Sequence, residues 1–582
     1  MPEKELSYLH SRTEKDGGVI VDAFDQQDSK PPLTGLAKFV DSFKRADDNE
    51  MGIDPNLTEA EKIAVRTANA PLSRSLKNRH LQMIAIGGSI GAGLFIGSGK
   101  TLRIGGPAGV LIAYILIGSM IYSTVQALGE LAITFPVSGA FVTYNTRFID
   151  ESFGFAMAWN YAMQWLVVMP LELVAATIVI DYWNTKYNPA TFVAIFWVLI
   201  LVINFFGVRG YGEAEFIFSM IKVIAVVGFI FLGIILVCGG GPRGGYIGGK
   251  YWHNPGAFAN GFKGVCSVFV TAAFAFAGTE LCGLAAAETS NPRKSLPKAT
   301  KQVFWRITLF YVISLTLIGL LVPYTDERLV AESSWDASAS PFVIAIKNGG
   351  ISGLPSVMNA VILISVLSVG NSSVFGSSRT LAALAASGQA PKIFGYIDKN
   401  GRPIVGITLQ LALGLLCFVV ASDKYGEVFD WLLALSGLSS IYTWTAICLS
   451  HIRFRRALSA QGRNTDEISY TAQAGVYGSY YGASLNLLVL IAQFWIAIWP
   501  LGGKPDAEVF FMNYVSLPIV FTFYLCHKIW TKNWKLFIRA KDIDIDTGRR
   551  ELDLDLFKQE LAEERAYIAS LPFYKRWYKF WC

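Results

Sequence analysis

From residue 81 onward the chain alternates long apolar runs with short polar ones, whereas residues 1–80 mix charges with Gly, Pro, Ser and Asp and show little apolar periodicity. An apolar run of roughly 18 residues or more is long enough, as a helix, for a hydrocarbon core about 30 Å thick. Such runs fall at 81–101, 107–133, 154–181, 190–207, 215–238, 264–286, 300–322, 353–385, 404–421, 426–450, 483–501 and 509–527. The pattern predicts an all-α membrane protein with 12 transmembrane helices.

Two of the runs are interrupted. Residues 88–93 read Gly-Ser-Ile-Gly-Ala-Gly, and each helical glycine costs about 1 kcal/mol relative to Ala. Phe274-Ala-Phe-Ala-Gly-Thr-Glu280 interrupts the sixth run. Loosened backbone at membrane depth is tolerated only where protein or a water-filled cavity satisfies its amides and carbonyls. Broken spans at matching places in two halves point to the substrate site of a secondary transporter. Runs one to five and six to ten each begin with a broken helix, and five is odd. The halves therefore enter the membrane from opposite sides, as a 5+5 inverted repeat with two extra helices. Small residues at Gly-x-x-x-Gly spacing also serve helix packing, but the glycine density and the matched break favour a binding site. Amides opening the second half-helix favour an anion, and carbonyls closing the first suit an ammonium. A zwitterion fits both ends, which points to an amino acid.

Composition agrees with this reading. The chain is 53% hydrophobic and 16% charged, against about 25% charged residues in soluble domains. Residues 1–80 lack the apolar segment of a signal peptide and are read as a disordered cytoplasmic tail, with a short helix at 58–67 led by Thr58. The transport domain spans 81–527, and 528–582 forms a second cytoplasmic tail with a helical stretch at 551–568. An even span count leaves both termini on one side. The inner loops are richer in Lys and Arg, with Arg293, Lys294, Lys298, Lys301, Arg306, Arg453, Arg455 and Arg456 prominent, which places the tails in the cytoplasm. The seven cysteines show no paired spacing, so no disulfide framework or metal site is expected; nor do His80, His253, His451 and His527 suggest a metal. The net charge of +6 has no compact basic domain behind it and implies no nucleic-acid partner. No catalytic constellation or cofactor motif is visible, so the chain is not read as an enzyme. Gly99-Lys100-Thr101 ends like a nucleotide-binding loop, but the leading glycine would fall at Leu94.

Charged groups inside apolar runs cost at least about 2.5 kcal/mol each on insertion scales. Glu280 follows the second break, as a structural cap, a protonatable group near the substrate, or both. Lys222 lies inside run five, and Glu172 in run three is either a helix tie or a proton-path residue. Glu130 and Arg379, near inner ends, read as ion-pair or gate residues, and Asp430 as favouring the start of its helix. Asn371, Ser372 and Ser373 form a polar cluster in run eight.

Four segments carry a specific likeness: Ile86-Gly-Gly-Ser-Ile-Gly-Ala-Gly-Leu-Phe-Ile-Gly97, Gly129-Glu-Leu-Ala-Ile-Thr-Phe-Pro-Val-Ser-Gly-Ala-Phe141, Phe274-Ala-Phe-Ala-Gly-Thr-Glu280 and Gly376-Ser-Ser-Arg-Thr-Leu-Ala-Ala-Leu-Ala385. With them the chain resembles the fungal amino acid permeases of the amino acid–polyamine–organocation superfamily, most of all the general amino acid permeases. The resemblance implies the inverted-repeat fold of leucine and arginine transporters. It also implies that the substrate carboxylate meets the amides of Gly91, Ala92 and Gly93. The ammonium would meet carbonyls near Ser89, Phe274 and Ala277, with Phe274 as a thin gate. Ile90, Gly278 and Thr279 belong to the same two segments, and Ser373 would lie beside the cavity. Lys222 would stand where sodium-coupled relatives bind their ion, which implies proton coupling, with Glu280 and Glu172 as further proton-path groups. The terminal Phe-Trp-Cys, beside aromatic and basic residues, makes Cys582 a palmitoylation candidate. Nutrient-controlled endocytosis is implied through a ubiquitin ligase acting on Lys4, Lys15, Lys30, Lys38, Lys44 and Lys62. The leading function is import of a broad range of L-amino acids across the plasma membrane by proton symport. A narrow-specificity permease and a nutrient-sensing receptor with signalling tails remain the alternatives.

Overall fold

The computed structural model describes residues 40–45, most of 76–549, and a few positions between 563 and 576; within the middle stretch 138, 184–185, 290–291, 331–339, 422–424 and 548 are left out. The chain divides into two compact units, Met1–Lys44 and Arg45–Cys582. In the first, Lys44 pairs with Asp41 at 2.9 Å. The helix expected at 58–67, most of that at 551–568, nearly all of the N-terminal tail and Cys582 lie outside the described residues.

The second unit is helical. Its elements in order are α1 (Asn78–Gly87), α2 (Ala92–Phe95), α3 (Gly97–Thr134), α4 (Phe141–Phe148), α5 (Glu151–Asp181), α6 (Pro189–Phe205), α7 (Gly207–Val237), α8 (Gly261–Phe276) and α9 (Leu281–Ala285). There follow α10 (Pro292–Arg306), α11 (Ser314–Leu321), α12 (Pro341–Asn348), α13 (Leu354–Ala386), α14 (Ile404–Gly414), α15 (Tyr425–Ala460), α16 (Gly475–Ile498), α17 (Ala507–Tyr514) and α18 (Ser516–Thr531). A π-helical segment, Ile307–Ile313, joins α10 to α11, and a 3₁₀ segment, Leu415–Ala421, extends α14. Among the described residues, β-pairing is confined to two isolated bridges, Arg45 with Asp398 and Leu76 with Thr289.

Nine helical stretches among the described residues are long and apolar enough to cross a bilayer, or ten if α17 and α18, bent by 64°, form one. The runs at 81–101 and 107–133 are organised differently from two plain helices. The first is split at 88–91 into α1 and α2, and its outer part continues into α3. At 38 residues, α3 would be about 57 Å long if straight, far more than one crossing needs. It is kinked at Gly106, whose φ of 71° lies in the left-handed region, just before Pro107. Glycine tolerates that conformation, and proline cannot donate the helix hydrogen bond. The first helix begins at Asn78, and α18 runs to Thr531.

Burial separates inner from outer helices. The most apolar window of Gly261–Ala285 is 89% buried and those of α5 and α13 are 78%, but the windows of α7, Ile404–Ala421 and α16 are only 28% buried. The outer helices expose Ile217, Ile224, Phe231, Leu487, Leu488 and Ile491. An apolar belt of this kind is unfavourable in water and suits lipid.

Ion pairs fasten the bundle near its ends. Glu130 pairs with Arg455 at 2.6 Å and accepts the Ala472 amide at 2.8 Å, and Arg379 pairs with Glu288 at 2.9 Å. Asp430 pairs with Lys100 of α3 at 3.0 Å, so its tie reaches another helix rather than serving only its own start. The segment after α18 packs on the same end as Arg453. Its Ile538 amide donates to the Ile149 carbonyl at 2.8 Å, the Ile538 carbonyl accepts from Arg453, and Ile543 and Ile545 are buried. Nearby, a hydrogen bond from Arg463 holds Glu467 below the usual carboxylate range, helped by Arg549.

Candidate functional site

The two glycine-weakened segments break as helices and meet. After α1, Ser89 and Ile90 leave the helix, and α2 restarts at Ala92 behind Gly91. The first amides of a helix have no intrahelical acceptor, so those of α2 are left for another partner. In the second break, α8 ends at Phe276, Ala277 is extended, and Gly278 takes a φ of 93° before α9 begins. Only glycine adopts that angle without strain. The break is stitched locally: the Thr279 hydroxyl donates to the Phe276 carbonyl at 2.5 Å, and the Gly278 amide donates to Glu280 Oε1 at 3.2 Å.

Glycines allow the two breaks to approach. A Cβ on Gly93 would lie 2.5 Å from Ala275 Cα, and one on Gly91 would lie 2.5 Å from Val369 Cγ2. Between them is a small cavity lined by Ser89, Gly91, Gly93, Phe274 and Ala277, together with Trp165, Val168, Glu172 and Val369. Five of the lining residues belong to the two segments singled out in the sequence. Ile90, Ala92, Gly278 and Thr279 are buried in the same breaks but do not line the cavity; nor does Ser373, whose hydroxyl donates to the Gly370 carbonyl at 2.7 Å. Trp165, Val168 and Val369 were not foreseen, because nothing local marks which face of an apolar helix turns to a remote break.

The polar atoms around the cavity are unusual. The Ser89 hydroxyl, the Trp165 indole N–H and the Glu172 carboxyl are buried against it, with Ser89 beside Tyr311, Trp165 beside Tyr161 and Glu172 beside the Ala92 amide and Lys222. Buried polar groups need hydrogen-bonding partners, and several of them facing one cavity suit a polar guest. The deeper charges bind across helices. Glu280 accepts from Gly278, from Tyr161 at 3.4 Å and from Trp444 Nε1 at 3.2 Å. It therefore ties the break to α5 and α15 rather than capping the amides of α9. Arg306 donates to the Ala85 carbonyl at 2.7 Å and to the Thr279 hydroxyl, linking α1 to the second break.

Lys222 sits fully buried beside the first break. Its ammonium donates to the Gly87 carbonyl at 2.8 Å and to Ser368 Oγ at 2.7 Å, and lies 3.7 Å from Glu215. A carbonyl at the end of α1 is thus occupied by a cation, as the helix dipole favours. Glu215 was missed because it stands at the drawn edge of run five. Its spacing of seven residues from Lys222, two helical turns on one face, was the available signal. No group of three or more His, Cys, Asp or Glu side chains able to hold a metal occurs among the described residues.

A family model described as "Amino acid permease" matches residues 80–540. The chain is 73% identical over 588 residues to the general amino-acid permease GAP2 of Candida albicans, covering 100% of both chains. It is 63% identical over 551 residues to the general amino-acid permease GAP1 of Saccharomyces cerevisiae, covering 94% of this chain and 91% of that one. A manganese transporter from Eremococcus coleocola, solved as a mutant, matches with a TM-score of 0.51 at 12% identity, over 78% of this chain and 93% of that one. That last likeness is one of fold alone.

Proposed function

Because the chain belongs to the amino acid permease family, we propose that it imports a broad range of L-amino acids across the plasma membrane in symport with protons. It is a multi-pass membrane transporter and not an enzyme. The observation that carries the reading is the cavity between two broken helices, with the buried Glu172 carboxyl on its wall beside the start of α2. The substrate carboxylate lies at the α2 amides of Gly91, Ala92 and Gly93, where the helix start favours an anion. The ammonium is taken by carbonyls near Ser89, Phe274 and Ala277, and Phe274 covers the guest. Breadth of side chain is supported by identity to two general permeases rather than by any feature of the wall.

Proton coupling follows from charge. Glu172 Oε1 is 3.5 Å from where a Gly91 Cβ would stand, so an ionised Glu172 and a carboxylate guest at Gly91 repel each other. Binding the substrate then favours protonated Glu172, which links the two ligands. Lys222 supplies an ammonium, fixed or titrating, in place of a coupling metal ion, with Glu280 as a further proton-path group. The kink at Gly106 and the break at 88–91 support counting α1 and α2 as one crossing and the rest of α3 as the next. Counted so, with α6 included and α17–α18 as one, the bundle has 12 crossings, arranged as an inverted repeat with both termini cytoplasmic.

Competition for uptake of one labelled neutral amino acid, in a transport-deficient cell, tests the range. Unlabelled neutral, acidic and basic amino acids are each expected to compete. Competition by one class alone makes the protein a narrow permease, and the absence of uptake makes it a receptor. Regulation is proposed through ubiquitin ligation of the N-terminal lysines, with Cys582 lipidated at the bilayer interface. Replacing Lys4, Lys15, Lys30, Lys38, Lys44 and Lys62 by Arg preserves charge and removes the acceptor amine. The variant is expected to transport normally yet persist at the surface after excess amino acid; internalisation at the parental rate would refute this.

A further inference from the structure

One buried chain of polar groups is not used by the substrate site. On α7, Tyr211, Glu215, Ser219 and Lys222 recur at helical spacing and form one buried stripe, and α13 faces it with Ser368 and Ser372. Lys222 donates to Ser368 Oγ at 2.7 Å, and Ser368 donates to Glu215 Oε2 at 2.7 Å. Glu215 Oε2 also accepts from Ser372 at 3.4 Å, and Ser372 Oγ is 3.2 Å from the Tyr211 hydroxyl. The contacts thus run without a gap from Lys222 to within a turn or so of the Gly207 end of α7. A chain of buried ionisable groups inside a bundle is costly and commonly marks a proton route.

We propose that Glu215 takes the proton of Lys222 and passes it through Ser372 and Tyr211 to the cytosol. The proposal rests on the symport reading, in which Gly207 is the inner end of α7. In the first step an N–H proton of the ammonium moves to Ser368 Oγ as the Ser368 hydroxyl proton moves to the Glu215 carboxylate. The ion pair becomes a neutral amine and a neutral acid. In the second step the Ser372 and Tyr211 hydroxyls rotate, as hydroxyls do freely. The Glu215 proton moves to Ser372 Oγ and the Ser372 proton to the Tyr211 oxygen; Tyr211 is buried here, and its own proton passes to water that reaches it when the carrier opens inward. Glu215 is again a carboxylate, and Lys222 awaits a proton from the outer side. The other charged groups facing this chain are Glu172, which interacts with Lys222, and the Arg379–Glu288 pair, which interacts with Tyr211. Arg379 and Glu288 are bonded to each other, and Glu172 adjoins the substrate cavity, which leaves Glu215 as the acceptor nearest Lys222.

The test compares net uptake, proton entry per substrate and substrate counterflow at equal surface density. Counterflow returns the carrier loaded and needs no net release of protons. Glu215→Gln keeps an acceptor and size but cannot take up a proton. It is expected to lower net uptake by about tenfold or more, in keeping with loss of a positioned proton acceptor, and to flatten its rise with external acidity, with a much smaller change in counterflow. Ser372→Ala and Tyr211→Phe remove only hydroxyls and decide the matter if Glu215→Gln fails to reach the surface; each is expected to show the same split. Equal loss of net uptake and counterflow would make the stripe a structural tie, and unchanged net uptake would exclude it as the route. If the parent itself brings in no protons with substrate, it is the symport reading that fails.

Discussion

Gly93→Val is expected to abolish amino acid uptake while the protein still reaches the cell surface. The reason is a backbone contact. A Cβ at residue 93 would lie 2.5 Å from Ala275 Cα and 2.9 Å from its amide nitrogen, and no side-chain rotation can relieve that. The branched residue forces α2 away from α8, which separates the two broken helices that frame the cavity. Overpacking of this kind costs about 1–3 kcal/mol, enough to misplace a binding site in a helix bundle that still inserts. Gly91 should be more forgiving, because its obstacle at 2.5 Å is the tip of the Val369 side chain. Gly91→Ala is therefore expected to retain more uptake than Gly93→Ala, whereas Gly91→Val fails too. Normal transport by surface-localised Gly93→Val would remove the site from this position. Uptake by surface density, measured for the four variants together, gives the ranking.

The second large effect concerns Lys222. If protons drive uptake, each unit of external acidification adds about 1.4 kcal/mol per proton to the driving force. Uptake should rise as external pH falls from about 7 toward 5, with no response to replacement of sodium, as expected where intramembrane ionisable groups carry the coupling. Lys222→Ala removes the cation that faces Glu215 at 3.7 Å and the Gly87 carbonyl at 2.8 Å. Accumulation against a gradient is expected to disappear, with residual exchange. Breaking a buried pair also destabilises by about 3–5 kcal/mol, so Lys222→Arg is the sharper variant. Arginine keeps a charge but does not release its proton in proteins. Exchange with little accumulation from Lys222→Arg would identify a titrating ammonium; full accumulation would mean that the charge alone suffices. Sodium-dependent uptake indifferent to pH would overturn the coupling altogether.

The breaks, the apolar runs and the buried charges were legible in the chain because each is a local property. Glycine weakens a helix wherever it stands, Gly278 could be picked out for its neighbours alone, and a lysine inside an apolar run is conspicuous without any partner. Ser373 shows the limit of such reading. A polar cluster on α13 was visible, but only packing decides that Ser368 and Ser372 face Glu215 while the Ser373 hydroxyl bonds back to Gly370. Residues on one helix differ in direction by about 100° per step, so adjacent serines serve different neighbours.

By itself the sequence determined that this is a helical membrane protein with two weakened spans, and it marked Glu172, Lys222 and Glu280 as charges that must be justified. Helix length, glycine density and the cost of a charge in an apolar run are additive along the chain and require no partner. The tertiary structure alone decided what each of them meets. It set Trp165, Val168 and Val369 around the breaks, gave Lys222 its bond to Gly87 and its ion pair with Glu215, and tied Glu280 to Tyr161 and Trp444. These are contacts between helices far apart in sequence, fixed by which faces interlock, and no local pattern of polar and apolar residues carries that information.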